Sequence, residues 1–207
     1  MRFCKICEYE IKLWKRRTYT LLIASVLLLV SSLLPSQCRA DIDPRLIIIG
    51  DSLSVTADSW PSHMDAPVIS LMAQVGRTIR DYTPPRDLRP THTDDVVVYF
   101  LGGNDIGMQS VYGGNPEPSR VVLMDHLRFL TGRGFDVLMV MPPDFGFPHL
   151  AESNKRHRGM FAAVSMDGVR VVDINQVWDP DETLDGLHPN ASLSYDVATV
   201  ISRELSR

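Results

Sequence analysis

Short apolar runs recur along the chain from residue 46 onwards, and each one ends at glycine, proline or polar residues. The run at residues 46–49 is aliphatic and has no polar alternation, which predicts a strand buried on both faces of a sheet. Similar apolar runs predict four more strands, at residues 68–71, 95–101, 137–141 and 169–172.

Helical periodicity is found mainly in the second half of the chain. Ser119 can cap a helix, and its buried face would consist of Val122, Met124, Leu127 and Leu130. A helical turn is expected at residues 77–82, and a helix at residues 160–166 follows a polar, basic loop at residues 144–158. A last helix would bury Leu193, Val197, Val200, Ile201 and Leu205. Because strands alternate with helices, we expect a parallel sheet covered on both faces.

The first 40 residues differ in composition from the rest of the chain. A lysine- and arginine-rich region precedes an apolar stretch at residues 21–34, and a small-residue site ends at Ala40. This layout is typical of a secretory signal peptide that is cleaved after Ala40. The alternative is an uncleaved membrane anchor through residues 21–34, because the preceding region is long and strongly positive. We therefore predict export, periplasmic or secreted, with residues 41–207 as one domain.

Charge, cysteine content and one glycine-rich motif exclude several partners and cross-links. Residues 1–40 hold seven Lys/Arg and two Asp/Glu, which leaves 14 basic and 23 acidic residues and a net charge of −9 for residues 41–207. Such an acidic domain argues against a nucleic-acid partner. All three cysteines precede the predicted cleavage site, so the mature domain would contain no disulfide. A dinucleotide fingerprint at residues 102–107 is excluded, because Asn104 stands where it needs glycine.

Chemically capable residues follow three predicted strands and lie in one late loop. Ser52, Gly76 and Asn104 come after the first, second and third strands, while Asp185 and His188 are three residues apart in the last loop. Ligands of parallel sheets bind beyond the carboxyl ends of the strands, so we expect these residues to meet there. Serine needs a base such as histidine, and a carboxylate orients the imidazole. The alternative role for the Asp and Ser after the first strand is a helix cap.

Four sequence blocks, taken in order, resemble those of the SGNH/GDSL hydrolases: Gly50-Asp51-Ser52-Leu53, Gly76, Gly102-Gly103-Asn104-Asp105 and Asp185-x-x-His188. They extend from residue 46 almost to the last helix. The resemblance implies an α/β fold of the flavodoxin-like kind, a three-layer α/β/α sandwich with a mainly parallel sheet of about five strands. It also implies that Ser52 is the nucleophile, His188 the base and Asp185 its partner. Ser52, Gly76 and Asn104 would form the oxyanion hole, with no metal and no cofactor.

Two features depart from this pattern or lie outside it. Arg77 follows Gly76 where such enzymes often have a small residue, and we interpret it as a solvent-facing or ion-paired side chain. The alternative is contact with an anionic substrate. The basic residues 154–158 are interpreted as a solvated helix start, with an acidic glycan or phospholipid head group beside the pocket as the alternative.

The predicted function is that of an exported serine esterase, which cleaves a small-molecule, glycan or lipid ester through an acyl-enzyme intermediate. Short acyl or acetyl groups are favoured, because residues 41–207 include no obvious apolar lid that would cover a long chain. Two alternatives share the same fold: a catalytically weak envelope binding protein, and an acyltransferase in which another alcohol replaces water. The natural substrate and the oligomeric state are not specified by the sequence.

Overall fold

A parallel five-stranded sheet forms the centre of the fold. The computed structural model describes residues 44–207, except residue 57, residues 112–114 and the side chains of residues 109–111. The strands are β1 (Arg45–Gly50), β2 (Val68–Ala73), β3 (Asp95–Phe100), β4 (Asp136–Met141) and β5 (Val169–Asp173). Their spatial order is β2-β1-β3-β4-β5. All five predicted strands are therefore confirmed, while the predicted signal or anchor at residues 1–40 lies outside the described residues.

Helices cover both faces of this sheet and make it the middle of three layers. They are α1 (Gly103–Val111), α2 (Glu117–Gly132), α3 (Ala151–Ala162) and α4 (Ala191–Leu205). Alternate side chains of β1 point to opposite layers: Ile48 packs in the cluster that contains α4, and Ile49 packs in the cluster that contains α2 and α3. Among the described residues, no helix has the length and apolar character that crossing a bilayer requires.

Two helices differ from the prediction because their buried faces are not mainly apolar. Helix α3 begins at Ala151, inside the predicted basic loop, and its buried side chains include Ser153, Asn154 and His157. A polar buried face gives no hydrophobic periodicity, so the predicted helix began at residue 160 and missed the first turns of α3. Helix α1 was not predicted, since it begins with glycine and Asn104 and buries Ile106 as its main apolar contact.

Two smaller predictions were wrong for local reasons. Ser119 does not cap α2, because Pro116 occupies the cap position and the helix already begins at Glu117. The Ser119 hydroxyl is buried and donates instead to Asp105 Oδ1 at 2.7 Å. Residues 77–82 form turns without a helix, since the chain is held there by side chains from other elements.

Candidate active site

The carboxyl ends of β1, β2 and β3 are level with one another. In the ladder Gly50 pairs with Ala73 on one side and with Phe100 on the other. The backbone N–H of Gln74 then donates to the carbonyl of Gly50 at 3.2 Å. The segments that carry Ser52, Gly76 and Asn104 therefore leave the sheet at the same edge, as the sequence predicted.

Ser52 lies on a tight 3₁₀ turn, Ser52–Ser54, directly after β1. Asp51 caps the turn, because its Oδ1 accepts the backbone N–H of Leu53 at 3.0 Å. The Ser54 hydroxyl oxygen is held by the indole N–H of Trp60 at 3.2 Å. Asp51 therefore has the capping role that the sequence left open. The Ser52 hydroxyl donates no hydrogen bond to another described residue, and the residue as a whole is 9% exposed.

Asp185 and His188 form a hydrogen-bonded pair in the loop before α4. Asp185 Oδ2 lies 2.7 Å from His188 Nδ1, and Asp185 Oδ1 accepts the backbone N–H groups of His188 at 2.8 Å and Leu187 at 3.0 Å. These donors, first the backbone N–H of His188 and then its ring, lower the pKa of the Asp185 carboxyl to about 2. An ionised Asp185 holds the proton on Nδ1 and leaves Nε2 of the neutral ring as the base.

The loop that carries Asp185 and His188 is held by hydrogen bonds between its two ends and by packing against Phe147. Its ends are joined by an antiparallel bridge between Thr183 and Pro189, and Leu184 N–H donates to the carbonyl of His188 at 2.7 Å. Gly186 has φ +85°, and a Cβ there would lie 2.6 Å from Phe147 Cζ. A glycine is therefore required where the loop passes the aromatic ring.

In its protonated form His188 lowers the pKa of the Asp51 carboxyl, which is adjacent to Ser52 in the chain. Among the hydrogen bonds of the described residues, none joins Ser52 Oγ to the imidazole of His188. Catalytic hydrogen bonds are often absent or long in free enzymes and shorten when substrate binds. The segments that carry the two side chains follow β1 and β5, and because the sheet is parallel both leave it at the carboxyl edge.

Three donors are available near the Ser52 turn. The backbone N–H groups of Ser52 and Gly76 donate to no acceptor among the described residues. The Asn104 amide lies beside the Gly76 segment, because its Nδ2 donates to the carbonyl of Arg77 at 3.0 Å. Asp105 holds the same segment through the backbone N–H of Ile79 at 2.8 Å. This arrangement brings the Asn104 amide and the Gly76 segment together at the end of β3.

Arg77 is half-buried and forms no ion pair with another described residue, so the solvent-facing interpretation holds only in part. Its guanidinium donates to the carbonyl of Met72 at 2.6 Å and to Gln74 Oε1 at 3.0 Å. It also lies 5.2 Å from the centre of the Tyr82 ring, within cation–π range. The side chain therefore folds back onto the end of β2 and supports the Gly76 segment.

The basic segment 154–158 lies in the body of α3 and not at a solvated helix start. Arg156 pairs with Glu152 at 2.9 Å and Arg158 with Asp173 at 3.3 Å, while Asn154 and His157 are buried. Most of its charge is thus compensated by carboxylates. In the described part of the chain, no three His, Cys, Asp or Glu side chains are grouped so that they could hold a metal ion.

Asp51 is the residue beside Ser52 whose environment the sequence did not predict. Its side chain is 1% exposed, and Oδ2 has no hydrogen-bond partner. Burial raises the pKa of the Asp51 carboxyl to about 7, against the lowering effect of the Leu53 N–H and with a further raising effect from Asp105. The sequence feature that could have indicated this burial is the position of Asp51, a charged residue directly after a strand that is buried on both faces.

No family model matches the chain, and no curated protein matches it in sequence. Solved structures match its fold. An acetyl xylan esterase, AlAXEase, is 17% identical with a TM-score of 0.65, over 77% of this chain and 98% of that one. A putative SGNH hydrolase from Slackia heliotrinireducens is 19% identical with a TM-score of 0.58, over 77% and 97% of the two chains.

A member of the lipolytic G-D-S-L family from Veillonella parvula is similar over 79% of this chain and 98% of its own, with 12% identity and a TM-score of 0.58. At these identities the likeness is one of fold. The chain has the three-layer α/β/α fold of SGNH hydrolases, which confirms the fold class that the sequence resemblance implied.

Proposed function

We propose that the chain is a serine esterase in which Ser52, His188 and Asp185 form the catalytic triad. The observation that carries this proposal is the 2.7 Å hydrogen bond between Asp185 and His188 Nδ1, at the sheet edge that also presents Ser52. An imidazole oriented in this way leaves Nε2 free to take a proton from a serine hydroxyl.

In the first half of the reaction Ser52 Oγ attacks the ester carbonyl while His188 Nε2 takes the hydroxyl proton. The backbone N–H groups of Ser52 and Gly76 would then bind the oxyanion, together with the Asn104 amide. One N–H of the Asn104 amide donates to the carbonyl of Arg77. The amide nitrogen has a second N–H, which can donate to the oxyanion. When the tetrahedral intermediate collapses, the C–O bond to the alcohol breaks and His188 returns the proton to the leaving alkoxide.

In the second half water cleaves the acyl-serine ester. His188 Nε2 takes a proton from water as its oxygen attacks the acyl carbon, and the same donors bind the oxyanion. Collapse releases the carboxylic acid and returns the proton to Ser52 Oγ. Transfer to another alcohol would follow the same steps, with that alcohol in the place of water.

Short acyl groups, and acetyl in particular, are the acyl class that we propose. This is supported by structural neighbours described as acetyl xylan esterases and as a carbohydrate esterase of family 3. A matched series of 4-nitrophenyl esters from acetate to decanoate, followed by acetylated xylan, tests this point. Faster turnover of decanoate than of acetate would contradict it.

The triad itself is tested on residues 41–207 with 4-nitrophenyl acetate. Ser52→Ala and His188→Gln should each lower kcat by about 1,000-fold or more, and the double variant should be little worse than either alone, since the two residues act as a unit. Ser62→Ala is the matched control, because Ser62 is exposed and, among the described residues, its hydroxyl donates only to the carbonyl of Ser59.

Equal activity of Ser52→Ala and the wild type would refute the proposal. A folded wild type that hydrolyses no ester and still binds acetylated xylan would instead favour the binding protein. Formation of a new ester when a second alcohol is added would identify an acyltransferase.

We also propose that the protein is exported by its N-terminal segment. The support is the sequence alone: a basic region, an apolar stretch at residues 21–34 and a small-residue site at Ala40. The mass and fractionation of the full chain expressed in a bacterial host test this. A soluble product that begins at Asp41 indicates cleavage, a full-length product in the membrane fraction indicates an anchor, and a full-length product in the cytoplasm would contradict export.

A further inference from the structure

Large apolar side chains that remain exposed are concentrated beside the residues proposed for catalysis. Of the nine in the described part of the chain, four adjoin a site residue in sequence or within one helical turn: Val75, Met108, Leu184 and Leu187. Three of the others belong to the edge strand β2, one to α2 and one to α4. Single exposed apolar residues are common on protein surfaces, whereas a group of them around one site is typical of a binding surface.

The two leucines are held next to the proposed base by hydrogen bonds of the backbone. Leu184 N–H donates to the carbonyl of His188 at 2.7 Å, and Leu187 N–H donates to Asp185 Oδ1 at 3.0 Å. Both leucines are nevertheless exposed, Leu184 to 70%. The hydrogen bonds that fix the shape of this loop therefore also fix apolar surface beside the imidazole.

Val75 and Met108 adjoin the donors of the proposed oxyanion hole. Val75 directly precedes Gly76 and is 68% exposed. Met108 comes four residues after Asn104 on α1, and side chains with this spacing lie on the same face of a helix. Ser52 follows β1, which lies between β2 and β3 in the sheet. Apolar surface is thus found beside the oxyanion donors as well as beside the base.

The chemistry of these four side chains indicates which part of a substrate they bind. Valine and leucine offer no hydrogen bond, and methionine offers only a weak acceptor. They therefore favour hydrocarbon over the hydroxyl groups of a sugar. The negative net charge of residues 41–207 argues against an anionic lipid surface. Because the acyl group proposed above is short, the hydrocarbon belongs to the alcohol part of the ester.

We infer that Val75, Met108, Leu184 and Leu187 form an apolar rim that binds the alcohol part of the ester, so that apolar alcohols are the preferred leaving groups. The inference rests on the esterase proposed above and adds the class of alcohol to it. Contact between the rim and the alcohol would hold the ester carbonyl in place for attack by the serine. The alcohol still leaves with the proton that the imidazole returns.

A series of acetates from ethyl to hexyl keeps the acyl group constant and varies only the alcohol. Each ester is assayed below its solubility limit. We expect wild-type kcat/KM to rise by roughly 10-fold or more along the series, because every added methylene that leaves water contributes to binding. Acetylated xylan, whose alcohol is a polar sugar, should gain nothing from the rim.

Leu184→Ser and Leu187→Ser remove apolar surface at exposed positions. In each variant the ratio of kcat/KM for hexyl acetate to that for ethyl acetate should fall to roughly a third of the wild-type ratio or less. A displaced loop would slow both esters alike, so the ratio reports on the rim and not on the position of the imidazole. Val121→Ser is the matched control and should keep the wild-type ratio, since Val121 is exposed on α2 and does not adjoin a site residue in sequence.

Equal kcat/KM for ethyl and hexyl acetate in the wild type would overturn the inference and leave the esterase in place. A ratio that neither leucine variant lowers would do the same. Activity on long alcohols that appears only above the solubility limit would also overturn it, because that result indicates docking on a lipid-like surface.

A binding measurement does not depend on turnover. Ser52→Ala, with and without Leu184→Ser, is titrated with ethyl and hexyl acetate and followed by NMR. We expect hexyl acetate to bind roughly 10-fold more tightly than ethyl acetate, and this preference to shrink when Leu184 is replaced. The same result in a protein whose wild type cleaves no ester would refute the proposed function alone, whereas equal binding of the two acetates would refute the rim.

Discussion

Replacing Asp51 by asparagine should stabilise the protein, although it removes a charge next to the proposed nucleophile. In the folded chain burial raises the pKa of Asp51 from 3.8 to about 7, so the folded state binds this proton more tightly than the unfolded state. Well below pH 3.8 both states are protonated and the carboxyl causes no loss of stability. As the pH rises towards 7, ionisation favours the unfolded chain, and above 7 the full loss is reached.

The size of this effect follows from the difference between the two pKa values. A shift from 3.8 to about 7 corresponds to about 4 kcal/mol at pH 8 and to less than half of that at pH 5, because one pKa unit is worth about 1.4 kcal/mol. Asparagine does not ionise and keeps the contact to the Leu53 N–H. The free energy of unfolding of Asp51→Asn, relative to the wild type, should therefore increase by about 2–3 kcal/mol between pH 5 and pH 8.

Urea-induced unfolding, followed by tryptophan fluorescence at the two pH values, measures this difference directly. Titrating groups that do not interact with Asp51 contribute equally in both proteins, so their contributions cancel in the comparison. The same difference in stability at pH 5 and pH 8, of either sign, would refute the account of Asp51 as a buried carboxyl with a raised pKa.

Three further substitutions, with Gly159→Ala as the control for the first, test the residues that support the site. Gly186→Ala places a Cβ against an aromatic ring at a positive φ, so it should displace the loop and lower kcat/KM by roughly 10-fold or more in an esterase assay. Gly159→Ala, where a Cβ meets nothing within 4 Å, should leave kcat/KM unchanged. Ser119→Ala removes the donor to Asp105 Oδ1 and should cost about 1–3 kcal/mol of stability in urea unfolding, and an unchanged midpoint would contradict this. Asp185→Asn should lower kcat by about 100-fold or more while the circular dichroism spectrum is preserved, because the amide favours the wrong tautomer of the ring.

The centre of the sheet was predictable because β1, β3 and β4 are buried on both faces. All six residues of β3 are buried, and a strand buried on both faces consists almost entirely of aliphatic and aromatic residues. Helix α3 is the opposite case: its buried face includes Asn154 and His157, so the sequence shows no hydrophobic periodicity there. Polar residues inside a protein are held by specific partners that are distant in sequence, and a hydrophobic pattern does not contain that information.

The candidate site was predictable where it depends on local spacing. Asp185 and His188 are three residues apart, and one turn of chain brings them together. The Arg77 guanidinium and the Asp51 carboxyl could not be placed in this way, because their environments come from the end of β2 and from α1. Their roles depend on how several segments meet at one edge of the sheet.

The most direct test of the account is covalent labelling of residues 41–207 with a fluorophosphonate, read by intact mass and peptide mapping. Such a reagent phosphonylates a serine whose hydroxyl is activated by a base and releases fluoride. We expect one adduct, on Ser52, that is absent from Ser52→Ala and strongly reduced in His188→Gln. No adduct on the folded wild type, or an adduct on a different residue, would contradict the claim that the hydroxyl after β1 and the imidazole before α4 act together.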